Sequence, residues 1–129
     1  MQKLLPHLND GASVFTSPTV ATAANLETSI YFATKGAVNK IAQIAANELA
    51  GRKIRVNIVS PGPIKTEGLE KVVTTDEGKN YLAAATAMQR LGNPDKIAKT
   101  VLFLASDEAS FIIGTEILVD VGYTTFAKK

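Results

Sequence analysis

Tyr31 and Lys35 are the two residues whose types and spacing suggest chemistry. If they lie on a helix, side chains four residues apart share one face, with their Cβ atoms about 5–6 Å apart. An ammonium group at that distance favours the phenolate form of a tyrosine, so Tyr31 could act as a general acid or base near neutral pH. The same spacing also occurs in ordinary surface pairs, and spacing alone leaves both interpretations open.

The residues around the pair predict a long amphipathic helix, and a second helix follows later in the chain. The first helix is indicated by apolar side chains that recur at helical spacing. They are Ile30, Ala33, Ala37, Ile41, Ile44 and Ala45. The second helix is predicted to be capped by Asn93, with Pro94 at its first position. Its expected buried side comprises Ile97, Val101, Leu102 and Leu104.

Short runs of apolar and β-branched residues predict three strands. The predicted strands lie near 12–17, 54–59 and 116–120, and the main helices lie near 29–50 and 94–105. A helix that joins two neighbouring strands forms a βαβ crossover, and such crossovers build parallel sheets. The chain is therefore predicted to be an α/β domain, with its ligand site at the carboxyl ends of the strands.

Composition narrows the possible partners. A net charge of +2, with basic residues scattered along 129 residues, argues against nucleic acid or an anionic membrane as a partner. There is no cysteine, which excludes disulfides and thiolate metal sites and favours a cytoplasmic location. The single histidine, His7, cannot build a metal site unaided, so no metal is expected. No apolar run reaches the roughly 18 residues of a membrane-spanning helix.

Three segments resemble the C-terminal half of the short-chain dehydrogenase/reductase family. They are YFATKGAVNKIAQIAANEL, GRKIRVNIVSPGPIKTEGL and LGNPDKIAKTVLFLASDEASFIIGTEILVDVGY, in that order. The resemblance implies the C-terminal half of a Rossmann-type doubly wound parallel sheet, with residues 1–129 forming one partial domain. It also implies NAD or NADP as the cofactor and a small carbonyl compound or alcohol as the substrate.

The resemblance assigns roles to the tyrosine and the lysine. Tyr31 would pass a proton to or from the substrate oxygen while a hydride moves between the substrate carbon and the nicotinamide. Lys35 would favour the tyrosine phenolate and donate a hydrogen bond to the nicotinamide ribose. Both residues would therefore be catalytic and would also contact the cofactor.

The serine that holds the substrate carbonyl in this family has no clear counterpart. Its usual place, thirteen residues before the tyrosine, is occupied by Pro18. A one-residue deletion in the loop would put Thr19 there, and Ser17 is the second candidate. The alternative that neither hydroxyl is catalytic remains open.

Pro61, Gly62, Ile64 and Thr66 match the family's PGxIxT turn. The resemblance implies that the backbone after the Pro-Gly pair holds the nicotinamide carboxamide, and that the threonine hydroxyl reaches the carboxamide or a phosphate. The alternative is a rigid turn that only ends the strand.

The family's Gly-rich nucleotide-binding loop is absent from these 129 residues. We therefore expect this chain alone to bind dinucleotide weakly or not at all, and to be inactive. Two hypotheses follow: a segment of an oxidoreductase that interconverts a carbonyl and an alcohol, or a catalytically inactive remnant that serves as an oligomerisation or interaction module. Members of the family often form dimers or tetramers, so a homo-oligomer is expected.

Overall fold

The computed structural model describes residue 3 and residues 5–11, 13–16 and 29–125. The strands are β1 (Ser13–Thr16), β2 (Arg55–Pro61) and β3 (Glu116–Val119). The α-helices are α1 (Ser29–Leu49), α2 (Glu67–Val72), α3 (Asp76–Ala84) and α4 (Pro94–Ala105). Short 3-10 turns lie at Leu5–His7, Ala50–Arg52 and Asp107–Ala109.

The three strands form one parallel sheet with the order β1-β2-β3. Val14 pairs with Val56, and Ile58 pairs with Glu116. The strands that flank α1 are therefore neighbours, as the predicted βαβ crossover requires. The prediction of an α/β fold built on a parallel sheet is confirmed.

The predicted bounds differ from the observed ones by at most two residues. Helix α4 spans its predicted range, and the Asn93 side chain accepts a hydrogen bond from the backbone N–H of Asp95 at 2.9 Å. Helix α1 ends at Leu49, because the chain tightens into a 3-10 turn that Lys53 closes in the left-handed region, at φ 57°. Strand β2 starts one residue later than predicted and continues two residues further, since it stays paired with β3 through Pro61.

The outer strands fit their predicted ranges closely. Strand β1 lies within the predicted range 12–17, whose two end residues fall outside the described part of the chain. Strand β3 ends at Val119, one residue before the predicted end, because Asp120 already turns the chain.

Strand β2 is buried on both faces, and helices cover it from both sides. Because side chains alternate along a strand, Val56 and Ile58 face one side and Val59 faces the other. The first side packs on α1, in a cluster of Ala42, Ala45, Ala46, Leu49, Ile54, Val56 and Ile58. The second side packs on α4 and the turn after it, in a cluster of Val59, Leu104 and Ala109. These layers match one half of a doubly wound fold.

The apolar residues whose spacing predicted α1 lie mostly outside the face that packs on the sheet. Ile30, Ile41 and Ile44 are 81%, 57% and 51% exposed. The buried face comprises Asn39, Ala42, Ala45, Ala46 and Leu49, of which Ala45 belongs to the periodic set. The small side chains on the buried face let the helix approach the sheet closely. The large apolar side chains of Ile30, Ile41 and Ile44 form an exposed stripe on another side of the helix.

Asn57 fixes the segment before β3 onto the central strand. Its side-chain amide donates to the carbonyl oxygen of Ile112 at 3.0 Å, and its side-chain oxygen accepts from the N–H of Thr115 at 3.3 Å. The side chain is fully buried. A buried amide whose donor and acceptor are both paired holds β2 and β3 in one register.

The Asn57→Asp substitution tests the contribution of these two hydrogen bonds to stability. It keeps an oxygen for the N–H of Thr115, but it removes the donor to Ile112 and buries a negative charge. We expect the free energy of unfolding at pH 7, measured by urea denaturation, to fall by about 3 kcal/mol. The matched control Asn80→Asp, at an exposed position of α3, is expected to change it by less than about 0.5 kcal/mol. Equal effects of the two substitutions would contradict the role given to Asn57.

Candidate active site

The topology places the start of α1 at the carboxyl edge of the sheet. Because β1 and β2 are parallel and α1 connects them, the helix runs back across the sheet from its carboxyl edge. Tyr31 and Lys35 lie in the first two turns of α1. About 100° separates successive helical residues, which puts this pair on the same side of α1 as the buried Asn39, Ala42 and Ala46.

The predicted pair meets in space. The Lys35 Nζ atom lies over the Tyr31 ring, 5.4 Å from its centroid. Tyr31 is 46% exposed, and its ring and that of Phe32 make a T-shaped contact with the centroids 5.5 Å apart. Because an aromatic ring attracts a cation within about 6 Å of its centroid, the contact with Lys35 helps to orient both side chains.

The two candidates for the substrate-holding hydroxyl, Ser17 and Thr19, lie outside the described residues. Strand β1 ends at Thr16, at the sheet edge where α1 begins. The roles of Ser17 and Thr19 in holding the substrate stay a prediction.

The turn after β2 lies against the end of β3. The N–H of Gly62 donates to the carbonyl oxygen of Val119 at 3.2 Å. A Cβ atom at Gly62 would lie 2.7 Å from both the Cα and the Cβ of Asp120, so no side chain fits there. This explains the glycine after Pro61 without reference to any ligand.

Asp120 is held in place by its own turn. Its carboxylate accepts hydrogen bonds from the backbone N–H groups of Gly122 and Thr124, at 3.0 and 2.9 Å, and from the hydroxyl of Thr124. Burial of the carboxylate works to raise its pKa, but these hydrogen bonds, that of the Thr124 hydroxyl first, outweigh it. The pKa of Asp120 therefore lies below its ordinary value.

Ile64 presents a backbone donor and acceptor. The N–H of Lys65 donates to the oxygen of Gly92 at 3.0 Å, and the N–H of Gly92 donates to the oxygen of Pro63 at 2.9 Å. In this parallel bridge, the N–H and C=O of Ile64 itself point away from Gly92. Neither group makes a hydrogen bond within residues 29–125. A planar amide ligand needs such a donor–acceptor pair.

Thr66 caps α2. Its side-chain oxygen accepts from the N–H of Leu69 at 3.2 Å. A hydroxyl that accepts in this way still has its own hydrogen to donate. Thr66 is therefore both a structural cap and a possible donor to a ligand.

A large cavity, about 1190 Å³, brings these parts together. Its lining comprises Tyr31, the turn residues Pro61, Gly62, Pro63, Ile64 and Thr66, the α2 residues Gly68, Leu69 and Val72, and the α4 residues Pro94, Ile97, Ala98, Val101, Leu102 and Ala105. Lys35 lies beside the Tyr31 ring and outside this lining. No acidic or basic side chain lines the cavity within the described part of the chain.

Sequence reasoning missed the contribution of α4 to this cavity. Leu102, predicted to be buried, is 69% exposed and lines the cavity, while Leu104 is fully buried as predicted. The sequence did indicate this contribution, because apolar residues occupy two faces of α4. The sheet can cover only one face, so the other is left to line a cavity.

The described ranges hold neither a metal-binding cluster nor a membrane-spanning helix. Residues 3, 5–11, 13–16 and 29–125 contain no group of three His, Cys, Asp or Glu side chains that could hold a metal ion. The helices of those ranges include none that is long and apolar enough to cross a membrane.

Comparison with known proteins places the chain in a family. A sequence model described as enoyl-(acyl carrier protein) reductase matches residues 1–124. The crystal structure of a short chain dehydrogenase family protein from Francisella tularensis superimposes with a TM-score of 0.89 and 30% identity, covering 97% of this chain and 56% of that one. This chain belongs to the short-chain dehydrogenase/reductase family.

Relatives within the short-chain dehydrogenase/reductase family are oxidoreductases. An uncharacterized oxidoreductase of Methylorubrum extorquens is 46% identical over 110 residues, which cover 84% of this chain and 44% of that protein. Cyclopentanol dehydrogenase of a Comamonas species is 42% identical over 94 residues, 73% of this chain and 38% of the enzyme.

A structural relative in the family holds a nicotinamide cofactor. The angucycline C-6 ketoreductase LanV with bound NADP superimposes with a TM-score of 0.86 and 27% identity, covering 95% of this chain and 48% of that one. The present chain thus spans about half the length of the relatives it matches.

A pair of glycine substitutions tests the packing of the active-site turn. Gly62→Ala is expected to lower the free energy of unfolding by about 3 kcal/mol, because the new methyl group forces the turn away from Asp120. Gly68→Ala is the matched control. Its Cβ would meet only the Thr66 hydroxyl oxygen, at 3.8 Å, and alanine favours the α2 helix by up to about 1 kcal/mol. A tolerated Gly62→Ala would show that the turn does not depend on this contact.

Proposed function

We propose that residues 1–129 supply the catalytic half of an NAD(P)-dependent oxidoreductase that interconverts a small carbonyl compound and an alcohol. The observation that carries the proposal is that Tyr31, with Lys35 over its ring, lines the same cavity as the Pro61–Thr66 turn. A proton donor and a possible nicotinamide site therefore face one space.

In the proposed reduction, Tyr31 donates its phenolic proton to the carbonyl oxygen as that oxygen gains negative charge. The adjacent ammonium of Lys35 stabilises the phenolate that remains. In the oxidation, the phenolate takes the proton from the alcohol. The cavity walls are mostly apolar, so a substrate bound among them would displace water, which would strengthen both interactions.

The nicotinamide cofactor supplies or accepts the hydride when it is bound. The residues present fit its carboxamide, because Ile64 offers an N–H and a C=O that point away from their neighbouring strand segment. We assign the hydrogen of the Thr66 hydroxyl to the carboxamide or a phosphate, and Lys35 to the ribose. These residues favour neither NAD nor NADP.

The pyrophosphate requires a cradle that these residues lack. The nine glycines of the chain are too widely separated to form a Gly-rich phosphate loop. We propose that polypeptide outside residues 1–129 provides it, so that the single partial domain is completed by a nucleotide-binding half. As part of the same proposal the protein works in the cytoplasm, whose reducing conditions suit a chain without disulfides.

The exposed stripe of α1 favours self-association. Ile30, Ile41 and Ile44 project from one side of the helix and are more than half exposed. Contiguous apolar surface of this kind often marks a protein interface. We propose that α1 packs against a second copy of the chain in a homo-oligomer. The second candidate function, an inactive oligomerisation module, would use this stripe without the chemistry of Tyr31.

A chimera separates the two functions. Residues 1–129 are joined to the N-terminal half of the Methylorubrum extorquens relative, and reduction of cyclopentanone by NADH and by NADPH is measured. Tyr31→Phe is expected to lower kcat at least 100-fold, because general acid catalysis contributes about 10²- to 10⁴-fold. The matched control, Tyr81→Phe on an exposed position of α3, is expected to retain activity.

Cofactor fluorescence provides the second measurement on this chimera. Enhanced NADH fluorescence without reduction of any of a panel of ketones would contradict the oxidoreductase proposal and favour the inactive module. Equal activity of the Tyr31→Phe and Tyr81→Phe variants would contradict the role of Tyr31.

A further inference from the structure

A second cavity lies at the outer edge of the sheet, beside β3. Its volume is about 420 Å³. Arg90 and Lys96 line it together with the apolar side chains of Ile64, Met88, Ile97 and Leu118. Tyr31 does not line it. The cavity therefore combines two cations with a hydrocarbon floor, away from the proposed proton donor.

Both cations project from anchored backbone. The hydroxyl of the fully buried Thr86 accepts from the N–H of Arg90 at 3.1 Å. Its own hydrogen lies between the carbonyl oxygens of Ala83, at 2.8 Å, and Arg90, at 3.2 Å. The Arg90 guanidinium lies 3.7 Å from the sulfur of Met88. Lys96 is in the first turn of α4, where its N–H donates to the oxygen of Asn93 at 3.0 Å.

The carboxylate that lines this cavity already accepts hydrogen bonds from its own turn. Asp120 lines the cavity, but it is only 8% exposed and both of its oxygens accept hydrogen bonds from its own turn. The described residues form ion pairs between Arg52 and Asp10 and between Lys79 and Asp76, and neither pair involves Arg90 or Lys96. Within that part of the chain, Arg90 and Lys96 thus face the cavity without an anionic partner.

We propose that this cavity binds a small amphipathic anion, a carboxylate carried on a short straight hydrocarbon chain. The carboxylate would lie between the guanidinium and the ammonium, and the hydrocarbon would lie on Ile64, Met88 and Leu118. Arginine pairs with planar carboxylates through two parallel hydrogen bonds, which makes it the main anchor. The proposal does not depend on the oxidoreductase activity.

The size and walls of the cavity set the kind of ligand. Small-molecule sites span roughly 300–1,000 Å³ and are mostly apolar with a few convergent polar groups. This cavity lies at the small end of that range, which suits a chain of a few carbons. Each methylene that leaves water tightens binding about fourfold. Affinity should therefore rise with chain length, which a purely ionic site would not show.

NMR titration of the 129-residue chain with sodium butyrate, sodium hexanoate and inorganic phosphate tests the site. We expect shifts of the amide signals of residues 88–92, 96 and 118–122. Hexanoate, with two more methylenes, should bind roughly fifteenfold more tightly than butyrate, and phosphate more weakly than either. Hexanol, which has the same chain length but no charge, should neither bind in this cavity nor compete with hexanoate for it.

Substitutions test whether the positive charge of Lys96 binds the carboxylate. Lys96→Gln is expected to weaken hexanoate binding about fivefold and Lys96→Glu to abolish it, whereas Lys96→Arg retains it. The matched control is Lys99→Gln, an exposed position on the same helix outside the cavity, which should leave binding unchanged. Equal losses in the Lys96→Gln and Lys99→Gln variants, or equal binding of hexanol and hexanoate, would overturn the proposal.

Discussion

The close contact between Gly62 and Asp120 joins the carboxyl ends of β2 and β3. No Cβ fits between these residues, and the hydrogen bond from Gly62 to Val119 holds the two chain segments together. The Asp120 carboxylate is occupied by its own turn, so it forms a rigid support. The segment that follows Gly62, including the backbone of Ile64, therefore has a fixed starting point at the sheet edge.

The central strand β2 connects this fixed sheet edge to both helix layers. Strand β2 packs on α1 through one face and on α4 through the other, and Asn57 secures the chain leading into β3. Because α1 must run back from the carboxyl edge, its first turns place Tyr31 and Lys35 beside the same edge. The cavity that contains Tyr31 and the Pro61–Thr66 turn thus follows from the sheet topology, without contacts specific to those side chains.

The sequence predicted the elements well, because helix caps, β-branched runs and the Pro-Gly turn are local signals. Asn93 and Pro94 marked the start of α4, and the four-residue spacing of Tyr31 and Lys35 predicted their contact. Burial was predicted less well, since it depends on which side of an element meets the sheet. Leu102 was expected to be buried but lines a cavity, and the large apolar residue Ile41 lies on the exposed side of α1. The side-chain hydrogen bonds of Asn57 join segments that are far apart in the sequence, so no local sequence pattern predicts them.

The central claim is that Ile64 and Tyr31 share one nicotinamide site within these residues. Nicotinamide mononucleotide tests it directly, because this half of the cofactor needs no Gly-rich loop. The measurement is a titration of the isotopically labelled 129-residue chain followed by NMR. We expect weak binding, with the largest chemical-shift changes at the Ile64 amide and the Tyr31 ring. We expect the Gly62→Ala substitution to abolish both changes. Saturating ligand that leaves both signals unchanged, or that shifts signals only elsewhere, would contradict it.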